Sequence, residues 1–185
     1  MQQIKVGVIT GSLRQKSFAR YLGRALIKVA PAGMDFSIIE IGEMPHYNED
    51  LEVDPPQAFT RFRNTIIAAD AVLFVTPEFN RSMPGVLKNS IDVGSRPWGK
   101  SVWAGKTAAV ISISPGAIGG FGANHALRQC LAAVGVCTMA HPESYISNAA
   151  ALFDAAGELV DPRTTEFATQ FMTAFKAWVD QQHRV

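Results

Sequence analysis

Apolar runs rich in β-branched residues alternate along the chain with segments whose apolar positions recur every three or four residues. That is the pattern of a βαβ series and of a parallel sheet covered on both faces. IKVGVI (4–9) opens the series as a strand, and Ser17 to Val29 carries Phe18, Tyr21, Leu22, Ala25, Leu26 and Val29 at helical spacing until Pro31 and Gly33 stop it. FSIIEI (36–41) reads as the second strand, followed by GEMPHYNEDLEVDPP, a connection long enough to line a site. A helix is expected from about Pro56 to Ala69, and AVLFVT (71–76) is apolar throughout, as the centre of a parallel sheet requires. Gly85 to Gly94 is the next helix, KTAAVISIS (106–114) the fourth strand, Asn124 to Val134 a further helix and Val136 to Met139 a short fifth strand. Pro162 to Gln182 sets Phe167, Phe171, Ala174, Phe175 and Trp178 on one helical stripe that packs back onto the sheet.

Five strands interleaved with helices predict an α/β, flavodoxin-like three-layer sandwich whose five-stranded parallel sheet runs in the order 2-1-3-4-5. Its ligand crevice then lies beyond the carboxyl ends of the strands, where the order reverses between strands one and three. The unusual residues are therefore expected in the loops after strands one, three and four. At 185 residues and 20.0 kDa the chain reads as one domain over 1–185.

Composition narrows the partner. Charged residues make up 18% of the chain, against roughly 25% in an average soluble domain, so some apolar surface is available for a subunit interface. A formal net charge of +1 with no run of like charges leaves no electrostatic footprint for nucleic acid or an anionic membrane, and a small molecule is favoured. Cys130 and Cys137 form neither a CxxC pair nor a disulfide framework, the N-terminal apolar run is a strand rather than a signal peptide, and no segment approaches bilayer length. A cytoplasmic location follows. His46, His125, His141 and His183 lack metal-site spacing, and the methionines Met34, Met44, Met83, Met139 and Met172 read as packing residues.

After the first strand, GSLRQKS fits neither the dinucleotide G-x-G-x-x-G nor the triphosphate G-x-x-x-x-G-K-S/T loop. It offers the hydroxyls of Ser12 and Ser17, the Arg14 guanidinium and the free N–H groups of a helix start, a cup for one terminal phosphate held without metal. Singly, Ser17 is no more than an N-cap and Arg14 a surface cation; together, at this place, they favour phosphate. After the third strand, TPEFNRSMPGVLKNSID frames a turn between two prolines. A flat ring fits there, with Phe79 as an apolar edge and the amides around Glu78 to Asn80 as donors. After the fourth, SPGAIGGFG sets Ser114, Pro115 and Gly116 before further glycines, where a planar ligand meets little Cβ obstruction.

These three motifs, GSLRxxS, PEFNxSxPGxLKNSID and SxGxxGG, resemble those of the NADPH-dependent FMN reductase family, its chromate and quinone reductase members above all, from about Ile4 to Val134. The resemblance implies FMN as bound cofactor, NADPH or NADH as co-substrate and a small-molecule electron acceptor. It implies Ser12, Arg14, Ser17 and Phe18 around the phosphate, Pro77, Glu78, Phe79 and Asn80 along the isoalloxazine, and Ser114, Pro115 and Gly116 at its other edge. It also implies a homodimer or homotetramer. Phe79 stands where family members usually carry Tyr.

No catalytic side chain is expected, because the flavin carries the chemistry: hydride passes from nicotinamide to flavin and electrons on to quinone, chromate or a similar acceptor, in ping-pong order. Arg81 at the loop tip, and Arg96 with Lys100 nearby, are candidates to meet the NADPH 2′-phosphate or an anionic acceptor such as chromate, but each is favoured as a solvated surface cation and none is assigned to the site. Two alternatives share the scaffold. A flavodoxin-type electron carrier sits poorly with 16 acidic against 17 basic residues, and a non-redox regulatory module would bind no flavin.

Overall fold

The computed structural model describes residues 3–183; the first two and last two residues of the expected 1–185 domain lie outside that range. The elements follow in the order β1 (Ile4–Thr10), α1 (Phe18–Lys28), β2 (Met34–Ile38), a 3₁₀ turn (Glu49–Glu52), α2 (Gln57–Ala68), β3 (Ala71–Pro77), α3 (Gly85–Ser95), β4 (Thr107–Ile113), α4 (Phe121–Ala133), β5 (Cys137–Thr138), β6 (Tyr145–Ile146), a second 3₁₀ turn (Ala149–Ala151) and α5 (Pro162–Gln182). The sheet has the expected order β2-β1-β3-β4-β5, all parallel.

Period-two alternation on the central strands builds the two cores. Val6 and Val8 of β1, Leu73 and Val75 of β3, and Ala109 and Ile111 of β4 face α1 and α5, where Leu22, Leu26, Phe171 and Phe175 close over them. Ile9, Val72, Phe74, Ala108 and Val110 face the other way, onto Phe59, Phe62 and Ile66 of α2, Leu87 and Ile91 of α3, and Leu127 and Leu131 of α4. Trp103 is fully buried in this second core and satisfies its indole N–H on the Ile91 carbonyl at 2.9 Å. The five methionines read as packing residues are all buried. Cys130 packs half-buried against this core, which pushes its thiol above the ordinary value. Among the described residues no helix is long and apolar enough to cross a membrane.

Three boundaries differ from the sequence expectation. The second strand pairs from Met34, opposite Ile4, because the turn ending at Gly33 delivers the chain into register two residues earlier. Its expected end, Ile39 to Ile41, leaves the regular ladder after one further bond from Ile39 N–H to the Val8 carbonyl and turns into the core. Helix α4 begins at Phe121, not Asn124, entered through Gly120 at φ 77°. The expected single fifth strand, Val136 to Met139, is instead a split one. Cys137–Thr138 pairs with the start of β4 and Tyr145–Ile146 with its end, so the segment HPESYISN, which periodicity left without a role, continues the sheet edge.

Candidate functional site

The register puts Thr10 of β1 opposite Val75 of β3, and Pro77 of β3 opposite Ile113 of β4. Three strands thus end side by side, and the loops leaving them share one mouth at the point where chain direction across the sheet reverses.

In the first loop, Ser17 is the N-cap of α1, its hydroxyl accepting from Arg20 N–H at 3.2 Å. The Ser12 hydroxyl accepts from Arg14 N–H at 3.3 Å. Neither bond uses the hydroxyl proton. The Arg14 side chain is exposed and takes no hydrogen bond or ion pair among the described residues, and the N–H groups of Phe18 and Ala19 at the helix start find no protein acceptor there. The Phe18 ring is turned away into packing, stacked on Phe153 with centroids 6.1 Å apart, so only its main chain faces the loop. Sequence reasoning passed over Arg20. Its Nε donates to the Ser12 carbonyl at 3.2 Å and its two terminal nitrogens grip Glu40 at 3.1 and 2.8 Å, tying the loop to the end of the second strand's chain. That bidentate bond holds the Glu40 carboxyl below its usual range and raises Arg20.

The second loop is a two-residue hairpin turn. Phe79 N–H donates to the Ser82 carbonyl at 2.9 Å and Ser82 N–H to Phe79 at 3.0 Å, with Asn80 and Arg81 both at positive φ. This corrects one expectation: the Phe79 amide is committed to the turn and the Glu78 amide lies on the ladder rung that pairs Pro77 with Ile113, so the donor left without a protein acceptor among the described residues is that of Asn80. The Phe79 ring stands 67% exposed. The Glu78 side chain does not point outward as a free acid. One oxygen accepts from Ala123 N–H at 3.2 Å, in the first turn of α4, and the other meets Arg81 at 3.2 Å. The carboxylate caps the helix and pins the second loop to the third. Gly122 permits this approach, since a Cβ there would stand 2.6 Å from the Arg81 carbonyl oxygen.

In the third loop, Ser114 Oγ accepts from Gly116 N–H at 3.1 Å, and Pro115 and Gly116 are exposed. The loop is laced to the late edge of the sheet: Ser114 N–H to Ile146 at 3.0 Å, Ala149 N–H to Ser114 at 3.1 Å, and Ser147 Oγ to Ala117 at 2.7 Å. Beneath it lies a buried polar set. Asn124 donates to Ser112 Oγ (3.2 Å) and to the Ser144 carbonyl (3.0 Å), while Arg128 donates to Asn124 Oδ1 (2.8 Å) and the Met139 carbonyl (2.8 Å). Arg128 thereby spans the break between β5 and β6. Burial pulls its guanidinium below the usual value.

The motif after the third strand has a structural half. Asn89 of α3, buried, accepts from Tyr47 N–H at 2.8 Å and donates to the Pro45 carbonyl at 2.9 Å, clamping the long loop that follows β2. Arg96 reinforces that loop through the Tyr47 hydroxyl at 3.1 Å. In sequence, only the oddity of a polar residue on the inner side of α3 marks Asn89.

Residues 4–151 match the NADPH-dependent FMN reductase family. The chain belongs to that family. A quinone reductase of Pseudomonas putida is 55% identical over 179 residues, covering 96% of each chain. A 2-hydroxy-1,4-benzoquinone reductase of a Burkholderia species is 44% identical over 176 residues, 95% of this chain and 96% of the relative. Among solved structures, the flavoenzyme NAD(P)H:(acceptor) oxidoreductase of Paracoccus denitrificans superposes with a TM-score of 0.91 at 42% identity, over 97% of this chain and 98% of that one. The protein is thus an NAD(P)H-dependent, FMN-using oxidoreductase of flavodoxin-like fold.

The FMN reductase residues fit the coenzyme. A singly phosphorylated ligand needs anion donors, and the first loop leaves two hydroxyl protons, one guanidinium and two amides uncommitted. A flat ring needs an unobstructed, partly apolar ledge with outward amides. Phe79, Ile118 (51% exposed) and the open surface at Gly116 supply it.

Proposed function

We propose that the protein passes reducing equivalents from NAD(P)H through bound FMN to quinones and comparable small acceptors such as chromate, both substrates using one open face in turn. The observation that carries this reading is the convergence of three unlike loops at adjacent strand ends, one of them with uncommitted anion donors and the other two with a ledge for a ring.

In this reading Arg14 meets phosphate oxygens as a fork, Ser12 and Ser17 donate their hydroxyl protons, and Phe18 contributes its main-chain N–H. Pro77 and Phe79 line the ring's apolar side, Glu78 holds their loop against the start of α4, and the Asn80 amide donates to polar ring atoms and would stabilise negative charge on a reduced ring. Ser114, Pro115 and Gly116 border its far edge. What bound FMN supplies is acceptance of hydride from the nicotinamide and onward delivery of electrons. The chain's part is to hold, orient and leave one face accessible, so no side chain is assigned a catalytic proton. Because a single face serves reductant and acceptor, the order is ping-pong. Quinones lead among acceptors because a planar ring matches the ledge and because quinone reduction is what the named relatives do.

The exposed rings of Phe79 and Phe121 and the Ile118 side chain on the rim support a homodimer or homotetramer in which a neighbouring copy walls the mouth. The whole chain works as one domain, and its two free cysteines suit the cytoplasm. A visible spectrum of the purified protein, followed by anaerobic titration with NADPH and NADH, tests the reading. A flavin band bleached by either reductant and restored by benzoquinone is expected; a colourless protein that takes up no FMN would overturn it.

A further inference from the structure

The tip of the second loop is built in a way that folding does not require. Asn80 (φ 50°) and Arg81 (φ 64°) both occupy the left-handed region. Asparagine is at home there; an arginine carries a steric cost that glycine, the usual second residue of such a turn, avoids. The surroundings hold the conformation regardless. The Phe79–Ser82 bonds close the turn, and the Arg81 carbonyl is seated against Gly122.

The side chain does not repay that cost as a structural pair. Arg81 is 78% exposed, and an ion pair with so open a partner contributes little. Glu78, 11% exposed, is independently held by Ala123 N–H. Releasing the guanidinium therefore leaves the Glu78 carboxylate still partnered. The arrangement is a fixed backbone carrying a detachable cation on the rim of the mouth, beside the exposed Phe79 ring. Strain kept at such a place points to a job for the side chain.

We propose that Arg81 receives a phosphate of the incoming nicotinamide dinucleotide, exchanging Glu78 for it when the reductant docks. The proposal rests on the functional reading above and adds a receptor to it. Of the two exposed cations of the first loop, Arg14 is already assigned to the coenzyme phosphate and Lys16 is a point charge without a fork; Arg81 presents a planar donor fork of the kind that matches phosphate oxygens. Two groups of the dinucleotide carry this chemistry, the pyrophosphate of both NADPH and NADH and the 2′-phosphate of NADPH alone.

The test compares Arg81→Gly and Arg81→Lys with the parent, all loaded with FMN. Arg81→Gly removes the backbone strain, so its melting temperature is expected to equal or exceed the parent's, with FMN affinity unchanged. The dissociation constant for NADPH in the anaerobic reduction phase, and for NADP⁺ by calorimetry, is expected to rise roughly tenfold, as loss of one charge-assisted bond at an exposed site implies. Arg81→Lys should recover part of it, and the KM for benzoquinone should not move. Equal weakening of NADH identifies the pyrophosphate; weakening of NADPH alone identifies the 2′-phosphate. Unchanged affinity for both reductants, an effect confined to the quinone, or a lowered melting temperature in Arg81→Gly would overturn the proposal. A parent protein that takes up no FMN would instead sink the functional reading, which keeps the two failures apart.

Discussion

Replacing Gly122 by Ala tests how the second and third loops are joined. In an ordinary helix the change would stabilise, because alanine exceeds glycine by about 1 kcal/mol in helix propensity. Here the added Cβ would stand 2.6 Å from the Arg81 carbonyl oxygen and 3.0 Å from Glu78 Oε2. The first of these is backbone inside a closed two-residue turn and cannot step aside as a side chain would. Forcing the methyl in costs about 1–3 kcal/mol. If α4 retreats instead, the Glu78 to Ala123 cap at 3.2 Å is lost, at about 0.5–2 kcal/mol. Either route outweighs the propensity gain, for a net destabilisation of about 1–3 kcal/mol. At this chain length that lowers the melting temperature by about 2–4 °C per kcal/mol. FMN affinity should fall with it, because the ledge is made of the two loops that the methyl pushes apart. Thermal unfolding and quenching of FMN fluorescence measure both quantities. An alanine variant as stable as the parent, with the same FMN affinity, would refute the view that this seam sets the site.

Arg14→Ala should leave the melting temperature unchanged, since the side chain touches no protein partner among the described residues, and weaken FMN binding by roughly tenfold to a hundredfold, read by ultrafiltration of free flavin. Asn89→Ala leaves the Tyr47 amide and the Pro45 carbonyl without their partner, so the loop of residues 42–55 should become the first site of limited proteolysis, with a loss of about 1–3 kcal/mol in urea unfolding. Glu40 has a folded-state pKa below its unfolded value. Its contribution is therefore present above the ordinary carboxylate pKa and lost as pH falls through the lowered one. FMN affinity should fall across that acidic window, and Glu40→Gln should flatten the change. Asn124→Leu takes one of two acceptors from the buried Arg128, which keeps the Met139 carbonyl, and one donor from the Ser144 carbonyl, which keeps Ser112; a drop in melting temperature of several degrees is expected from the guanidinium nitrogen left unpaired, and an unchanged one would remove the network from the account of the site.

Element types and sheet order were legible because the signal is local. β-Branched runs that include Val72, Phe74 and Val110 have only one environment that suits them, a strand buried on both faces, and Leu22 with Leu26 has only one face to bury. The position of the site was legible too, since loops with Ser12, Arg14 and Gly116 stand out against such runs. Boundaries were less so. Nothing local tells Phe121 that it begins a helix; the carboxylate that caps that helix comes from Glu78, in another loop. The split fifth strand was hidden because two residues at a time carry no periodicity, and its halves are recognised only by their common partner β4.

By itself, then, the sequence determined which segments are strands and helices, that they wind into a parallel sheet reversing between its first and third strands, and which loops carry anion donors and glycines. These follow from propensities and spacing within a few residues. The tertiary structure alone decided what individual side chains are for: that Phe18 packs, that Glu78 is a cap, that Arg20 steadies Ser12, that Asn89 clamps a distant loop and that Arg81 meets Glu78 on an exposed rim. A hydrogen bond is assigned by proximity across the chain, and partners such as Asn89 and Tyr47 or Asn124 and Ser144 meet only once the layers have packed.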